Sequence, residues 1–207
     1  VAAARAQAGG AAAMNKLTAS DLMSLEQYAR ERPAFRARVL AHKSSRRLAV
    51  GPNVSWCFED RLTIQYQVQE MLRTERIFEP QGIADELGVY NSLVPDGSNW
   101  KVTLLIEFVL PAERARALAQ LKGVEDCCWV QVAGHERVFA IADEDLEREN
   151  ADKTSAVHFL RFELSAAMIG GLRDGAALAV GVDHEHYRHS VPAVPVPVRA
   201  VLVADFS

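Results

Sequence analysis

The densest run of metal-capable side chains in the sequence is Asp183-His184-Glu185-His186-Tyr187-Arg188-His189. On a continuing strand His184 and His186 face the same way, and His189 can return across a turn to complete a three-nitrogen site beside Asp183. The spacing is not a signature such as HExxH, and a histidine-rich surface or core-edge loop is the commoner source of such a run. A second constellation lies between Arg61 and Ile77. At 100° per residue with Ile64 at zero, Val68 falls at about 40°, Met71 at about −20° and Leu72 at about 80°, which makes one apolar stripe. Glu75 at about 20° and Arg61 at about 60° fall inside that stripe, one at either end. A buried charge needs a partner, so each is expected either to find one elsewhere or to reach solvent from a frayed helix end. They stand about 21 Å apart along the helix and cannot pair with each other.

Other chemistries find little support. There is no GxSxG, GxGxxG or GxxxxGK[ST]. Ser155 and Ser165 have no identifiable base, and His158 alternates with Val157 and Phe159 as a hydrogen-bonded structural histidine in a strand does. Arg30 to Arg47 holds seven basic residues and one acid, a local +6 in a chain of net charge −4. The bases flank an apolar stripe of Phe35, Val39 and Leu40 with no interleaved stacking platform, so nucleic acid is not an expected partner. No apolar run approaches the ~18–20 residues that span a bilayer. Cys57, Cys127 and Cys128 are odd in number, two are adjacent and none forms CxxC, which favours free thiols in a reducing cytoplasm over disulfides or metal thiolates.

These groups are carried by alternating elements. Thr18 and Ser20 precede a helical pattern at Leu22, Leu25 and Tyr28 that Pro33 interrupts and Phe35, Val39 and Leu40 resume, so two short helices are expected. A hairpin over 48–58 turns at Gly51-Pro52-Asn53, and helices follow over 61–77 and from Pro80 to Leu93. A strand over 100–108, a helix over 111–121 and a hairpin over 128–141 come next. Residues 143–152 carry six acids and one base, as a solvated loop does. A strand over 156–164, a helix capped by Ser165 and a strand over 177–182 complete the series, and the tail with Pro192, Pro195 and Pro197 is expected to lie extended on an edge. The fold class is α+β, with an antiparallel sheet built from hairpins and a mostly helical N-terminal half. Residues 1–13, with eight alanines and no apolar middle, read as a disordered extension, and 14–207 as a single domain in which Met14 is the functional start.

Several motifs occur together: Phe58-Glu59-Asp60-Arg61, Gln67-Val68-Gln69-Glu70-Met71, Arg73-Thr74-Glu75-Arg76-Ile77, Tyr90-Asn91-Ser92-Leu93-Val94-Pro95, Phe159-Leu160-Arg161-Phe162 and Asp183-His184. Together they resemble a bacterial family catalogued as domain of unknown function 3501, over about Lys16 to Tyr187. The family-like positions are Glu59, Arg61, Gln67, Gln69, Glu70, Arg73, Glu75, Arg76, Tyr90, Asn91, Arg161, Asp183 and His184. His186, His189 and the cysteines are not part of the pattern. The resemblance implies no established activity or cofactor. It does imply a gene neighbourhood of rubrerythrin-like diiron proteins and iron–sulfur oxidoreductases.

The expected function is therefore that of a cytoplasmic accessory or binding protein, acting with a rubrerythrin-like or iron–sulfur redox protein and presenting the Glu, Gln and Arg side chains of residues 61–77. The alternative is a small-molecule or metal-dependent enzyme in which Glu59, Glu70 or Glu75 is the acid/base, Arg73, Arg76 or Arg161 clamps an anion and His184 holds a metal. A structural reading, in which these polar residues lock elements together, also stays open, as does a homo-oligomer.

Overall fold

The computed structural model describes residues 16–146 and 148–206, so the alanine-rich extension and Met14 lie outside the described residues. The described chain forms two compact units, one from residues 16–45 and 59–97 and the other from 46–58 and 98–206. Six α-helices and two antiparallel sheets among the described residues make the fold α+β. No helix among them is long and apolar enough to cross a membrane.

The first unit is helical. Helix α1 (Leu25–Ser44) is capped by the Ser24 hydroxyl, which accepts the Gln27 amide hydrogen, and it runs unbroken through Pro33. The two helices expected from that proline are thus one. Pro33 removes a single backbone donor, while Tyr28, Phe35 and Val39 on either side of it bury in the same cluster and hold the two halves to a common packing face. Helix α2 (Arg61–Glu75) starts at a capping box in which Asp60 and Thr63 satisfy each other's backbone amides. It ends at Arg76 in the left-handed region, φ 57°. Helix α3 (Pro80–Tyr90) continues into a 3-10 turn, Asn91–Leu93. Ile64, Val68 and Leu72 of α2 bury with Leu17, Leu87 and Val94, which is the stripe expected at 100° per residue.

The second unit is a pair of sheets around one core. Strands β1 (Arg47–Ala49), β2 (Val54–Phe58) and β3 (Asn99–Ile106) are followed by helix α4 (Pro111–Gln120) and strands β4 (Cys128–Val132), β5 (Val138–Phe139), β6 (Ile141–Ala142) and β7 (Val157–Glu163). Helix α5 (Ala166–Arg173), strands β8 (Leu178–His184) and β9 (Tyr187–Val191) and helix α6 (Val196–Val203) complete it. The sheets run β1-β2-β3-β7-β6 and β5-β4-β8-β9. The hairpin expected over 128–141 divides at Ala140: β5 pairs with β4, whereas β6 joins β7 in the other sheet. Trp56, Trp100, Leu104, Leu160 and Phe162 from one sheet and Val130, Leu178 and Val180 from the other share the core.

The C-terminal segment departs from the expected extended tail. Tyr187–Val191 is an edge strand, but residues 196–203 are helical. Pro at the first turn starts a helix as readily as it ends a strand, because its missing donor is not needed there. Tertiary contacts select the helix: the Trp100 indole donates to the Leu202 carbonyl at 3.0 Å, and the buried Arg46 guanidinium grips Asp205 at 2.5 and 2.9 Å.

Gly51 (φ +81°) sits in the β1–β2 turn, where an added Cβ would stand 2.5 Å from the His189 ring and 2.6 Å from the Tyr187 hydroxyl. That hydroxyl donates to the Val50 carbonyl and accepts from the Asn53 and Val54 amides, pinning the turn to β9. Gly51→Ala combines left-handed strain with a close contact and is expected to cost roughly 2–4 kcal/mol, measured by urea unfolding.

Candidate functional site

Helix α2 turns most of its polar residues toward chain of its own unit. Arg61 pairs with Asp21 at 2.6 Å, and the Gln65 amide donates to the Asp21 carbonyl at 2.5 Å. Gln69 is fully buried; its oxygen accepts the Met23 amide hydrogen at 2.6 Å and its nitrogen donates to the Met23 carbonyl. Glu70 is the centre of the set. It accepts from the Tyr28 hydroxyl at 2.6 Å, from Arg32 Nε at 2.6 Å and Nη2 at 2.9 Å, and from Arg73 at 3.3 Å. The Arg32 hydrogen bond, more than any other cause, lowers the Glu70 carboxyl to about 2. Burial, followed by the Glu70 carboxylate, pushes the Tyr28 phenol up.

The remaining family-like residues are dispersed. Glu75 is exposed in the last position of α2, and Arg61 is partly exposed at the first, so neither charge is buried in the stripe. The burial stripe stops at Leu72, one turn before the helix does. Gln67 and Arg76 are exposed, Arg73 reaches Glu70, Glu59 is buried at the entry to α2 and Tyr90 packs on the Leu87 cluster. Asn91 clamps the start of the described chain, accepting from the Leu17 amide at 2.7 Å and donating to its carbonyl at 2.9 Å. Arg161, on β7, is gripped by Glu144 through two 2.8 Å bonds and by Glu163 at 2.7 Å, and these anions push it up further.

The histidine run forms the β8–β9 hairpin instead of a ligand array. The strand ends at His184, Glu185 and His186 make the turn, and Tyr187 pairs back on His184. His184 is buried with both ring nitrogens engaged: Nε2 donates to the Lys122 carbonyl at 2.9 Å and Nδ1 accepts the His186 amide hydrogen at 3.2 Å. Asp183 pairs with Arg137, while His186 and His189 are exposed. His189 packs on the Tyr187 ring, 4.5 Å between centroids. Beside this hairpin is an open cleft of about 460 Å³, lined by Asn53, Phe108, Glu113, Arg116, His186 and His189 among others.

One cluster was not marked by any motif. His158 is completely buried on β7, with Nδ1 2.7 Å from Asp143 Oδ2 and 3.7 Å from Glu125 Oε2. Its Nε2 lies 3.0 Å from the Thr154 hydroxyl and 3.1 Å from the Ser155 carbonyl. Asp143, expected in a solvated loop, is instead drawn inward at φ 46°, its Oδ1 accepting from the Phe159 amide at 2.9 Å and from Arg148 at 3.3 Å. Arg148, the one base of that acidic segment, also chelates Asp145 at 2.5 and 2.7 Å. The sequence did carry a signal: on β7 Leu160 and Phe162 face the core, so parity puts His158 inward, where it needs polar partners. Among the described residues, Glu125, Asp143 and His158 form the group of three whose ligating atoms lie together, all within 4.8 Å of one another.

Glu70 gives a pH test. Its folded-state pKa lies below the ordinary 4.5, so its contribution is complete above that value and is lost as the pH falls toward about 2. A shift of this size corresponds to roughly 3 kcal/mol at neutral pH. Urea unfolding across this range is expected to show stability falling with acidification in the wild type and a flatter profile in Glu70→Gln.

The comparisons with known proteins give a family and a similar fold and assign no function. A crystal structure of a novel protein of unknown function from Burkholderia pseudomallei K96243 is similar at 48% identity and a TM-score of 0.88, covering 93% of this chain and 100% of that one. No curated protein matches. The family described as "Protein of unknown function (DUF3501)" matches residues 16–206, and the chain belongs to it.

Proposed function

We propose that this protein is a non-catalytic accessory protein of the cytoplasm that binds a partner protein at the cleft beside the β8–β9 hairpin. The observation that carries the reading is the surface there. Val109 is 96% exposed and Leu110 is 55% exposed, directly after the cleft residue Phe108 and directly before α4. Adjacent exposed aliphatic side chains at the edge of a polar concavity fit a docking surface better than a monomer's solvated face. Arg116, His186 and His189 give the cleft donors for an acidic segment of a partner.

The acid/base alternative through α2 is weaker. At neutral pH Glu70 is a carboxylate held by Tyr28, Arg32 and Arg73, with no proton to donate, and Gln69 is committed to Met23. Cys57, Cys127 and Cys128 form no disulfide, which suits a reducing compartment. The gene neighbourhood implied by the family resemblance makes a rubrerythrin-like or iron–sulfur redox protein the partner to seek.

Affinity capture from the native host, read by mass spectrometry, is expected to enrich such a protein with the wild type and to lose it with Val109→Asp/Leu110→Asp. Both positions are solvent-facing, so the variant should retain its melting temperature within a few degrees. Equal capture by the variant, or enrichment of no redox protein by the wild type, ends this reading.

A further inference from the structure

We propose that Glu125, Asp143 and His158 form a binding site for one divalent first-row transition-metal ion, with His158 Nδ1, Asp143 Oδ2 and Glu125 Oε2 as ligands. The site is separate from the cleft and does not depend on it.

The argument begins at the imidazole. Nε2 stands 3.1 Å from the Ser155 carbonyl, and a carbonyl oxygen only accepts, so Nε2 carries hydrogen. Nδ1 then faces the Asp143 carboxylate at 2.7 Å and Glu125 Oε2 at 3.7 Å. A lone pair does not sit against two carboxylates, so a positive centre, a proton or a metal ion, must lie among these three atoms. Glu125 is the group whose hydrogen bonding the present arrangement leaves incomplete. It is 9% exposed, and among the described residues its Oε2 has no hydrogen-bond partner although it is aimed at His158. A divalent cation in place of a proton at this position would take His158 Nδ1, Asp143 Oδ2 and Glu125 Oε2 as ligands together, where a single proton reaches only two of them, and the displaced proton would be released to solvent.

The surroundings have the form of an outer shell. A metal-bound histidine usually donates its second ring N–H to a carbonyl or hydroxyl, as Nε2 does here to Ser155 and Thr154. Asp143 Oδ1 is held by the Phe159 amide and Arg148, which orients Oδ2 toward the imidazole. Ligands ~2.1 Å from a tetrahedral ion stand about 3.4 Å apart, so side-chain shifts of about an ångström close the site. Two oxygens and one nitrogen suit zinc, iron(II) or manganese(II) and leave a coordination position open.

The test uses the full chain without an affinity His-tag, stripped with chelator and dialysed against excess Zn²⁺. Elemental analysis is expected to find one retained zinc per chain, and the melting temperature to rise by roughly 5–10 °C at zinc ~100-fold above the dissociation constant. Glu125→Gln keeps the side-chain shape and removes an unmatched buried carboxylate, so its metal-free form is expected to melt no lower than the wild type while losing both the retained zinc and the zinc-dependent rise. Asp143→Asn gives the same loss by an independent route. His186→Ala, on the exposed hairpin, is expected to retain zinc. Absence of stoichiometric zinc in the wild type, wild-type retention by Glu125→Gln and Asp143→Asn, or loss of zinc in His186→Ala would each overturn the proposal.

Discussion

Removing a carboxylate or guanidinium from water costs several kcal/mol unless opposite charge and hydrogen bonds replace its hydration. In each unit of this chain the approach of distant segments follows from that requirement. Glu70 sits on the face of α2 that meets α1, and it is tolerated there because Tyr28 and Arg32, one turn apart on α1, converge on its two oxygens. In the second unit Arg46 is 4% exposed and is matched by Asp205, which fastens the C-terminal segment beside the entry to β1. Apolar burial supplies most of the driving force in both units, but these matched charges select which surfaces meet.

The same physics separates structural polar clusters from chemically unfinished ones. Around Glu70 the account closes: one carboxylate receives donors from two guanidinium groups and a phenol. Gln69 and Asn91 close theirs too, each meeting both the donor and the acceptor of one backbone residue. Around His158 it does not close, since two carboxyl groups face one imidazole nitrogen and Glu125 Oε2 has no hydrogen-bond partner among the described residues. Asp143 adds a positive φ, a conformation held against its intrinsic preference by the Phe159 and Arg148 contacts. Backbone strain and a buried carboxyl oxygen without a hydrogen bond coincide at one place in the second unit, and that coincidence distinguishes it from the ion pairs elsewhere.

The family-like motifs are explained largely by architecture. Phe58-Glu59-Asp60-Arg61 contains the capping box and start of α2, Gln69-Glu70 joins α2 to the segment before it and to α1, and Asn91 clamps Leu17. Phe159-Leu160-Arg161-Phe162 alternates two core residues with a surface arginine gripped by Glu144 and Glu163. Asp183-His184 ends β8, where His184 locks the neighbouring turn to Lys122. Residues that look catalytic by type are, in these places, the polar fasteners of helices and strands.

Local periodicity was enough to determine the amphipathic stripe of α2, the β1–β2 hairpin, the inward face of β7, the α+β class and the family, because each depends on residues close together in the chain or on motif identity. Pro33 and the proline-containing tail misled because proline fixes only its own torsion and removes one donor; whether a helix continues or begins there is decided by what packs around it. The acidic run over 143–152 reads as solvated because sequence records net charge and not the direction of each carboxylate. Only the tertiary structure turned Asp143 inward, brought Glu125 from the loop after α4 to the same imidazole and committed both ring nitrogens of His184 to backbone groups at a turn. Those outcomes depend on strand pairing and chain crossing between residues far apart in sequence, and no local pattern of residue types encodes them.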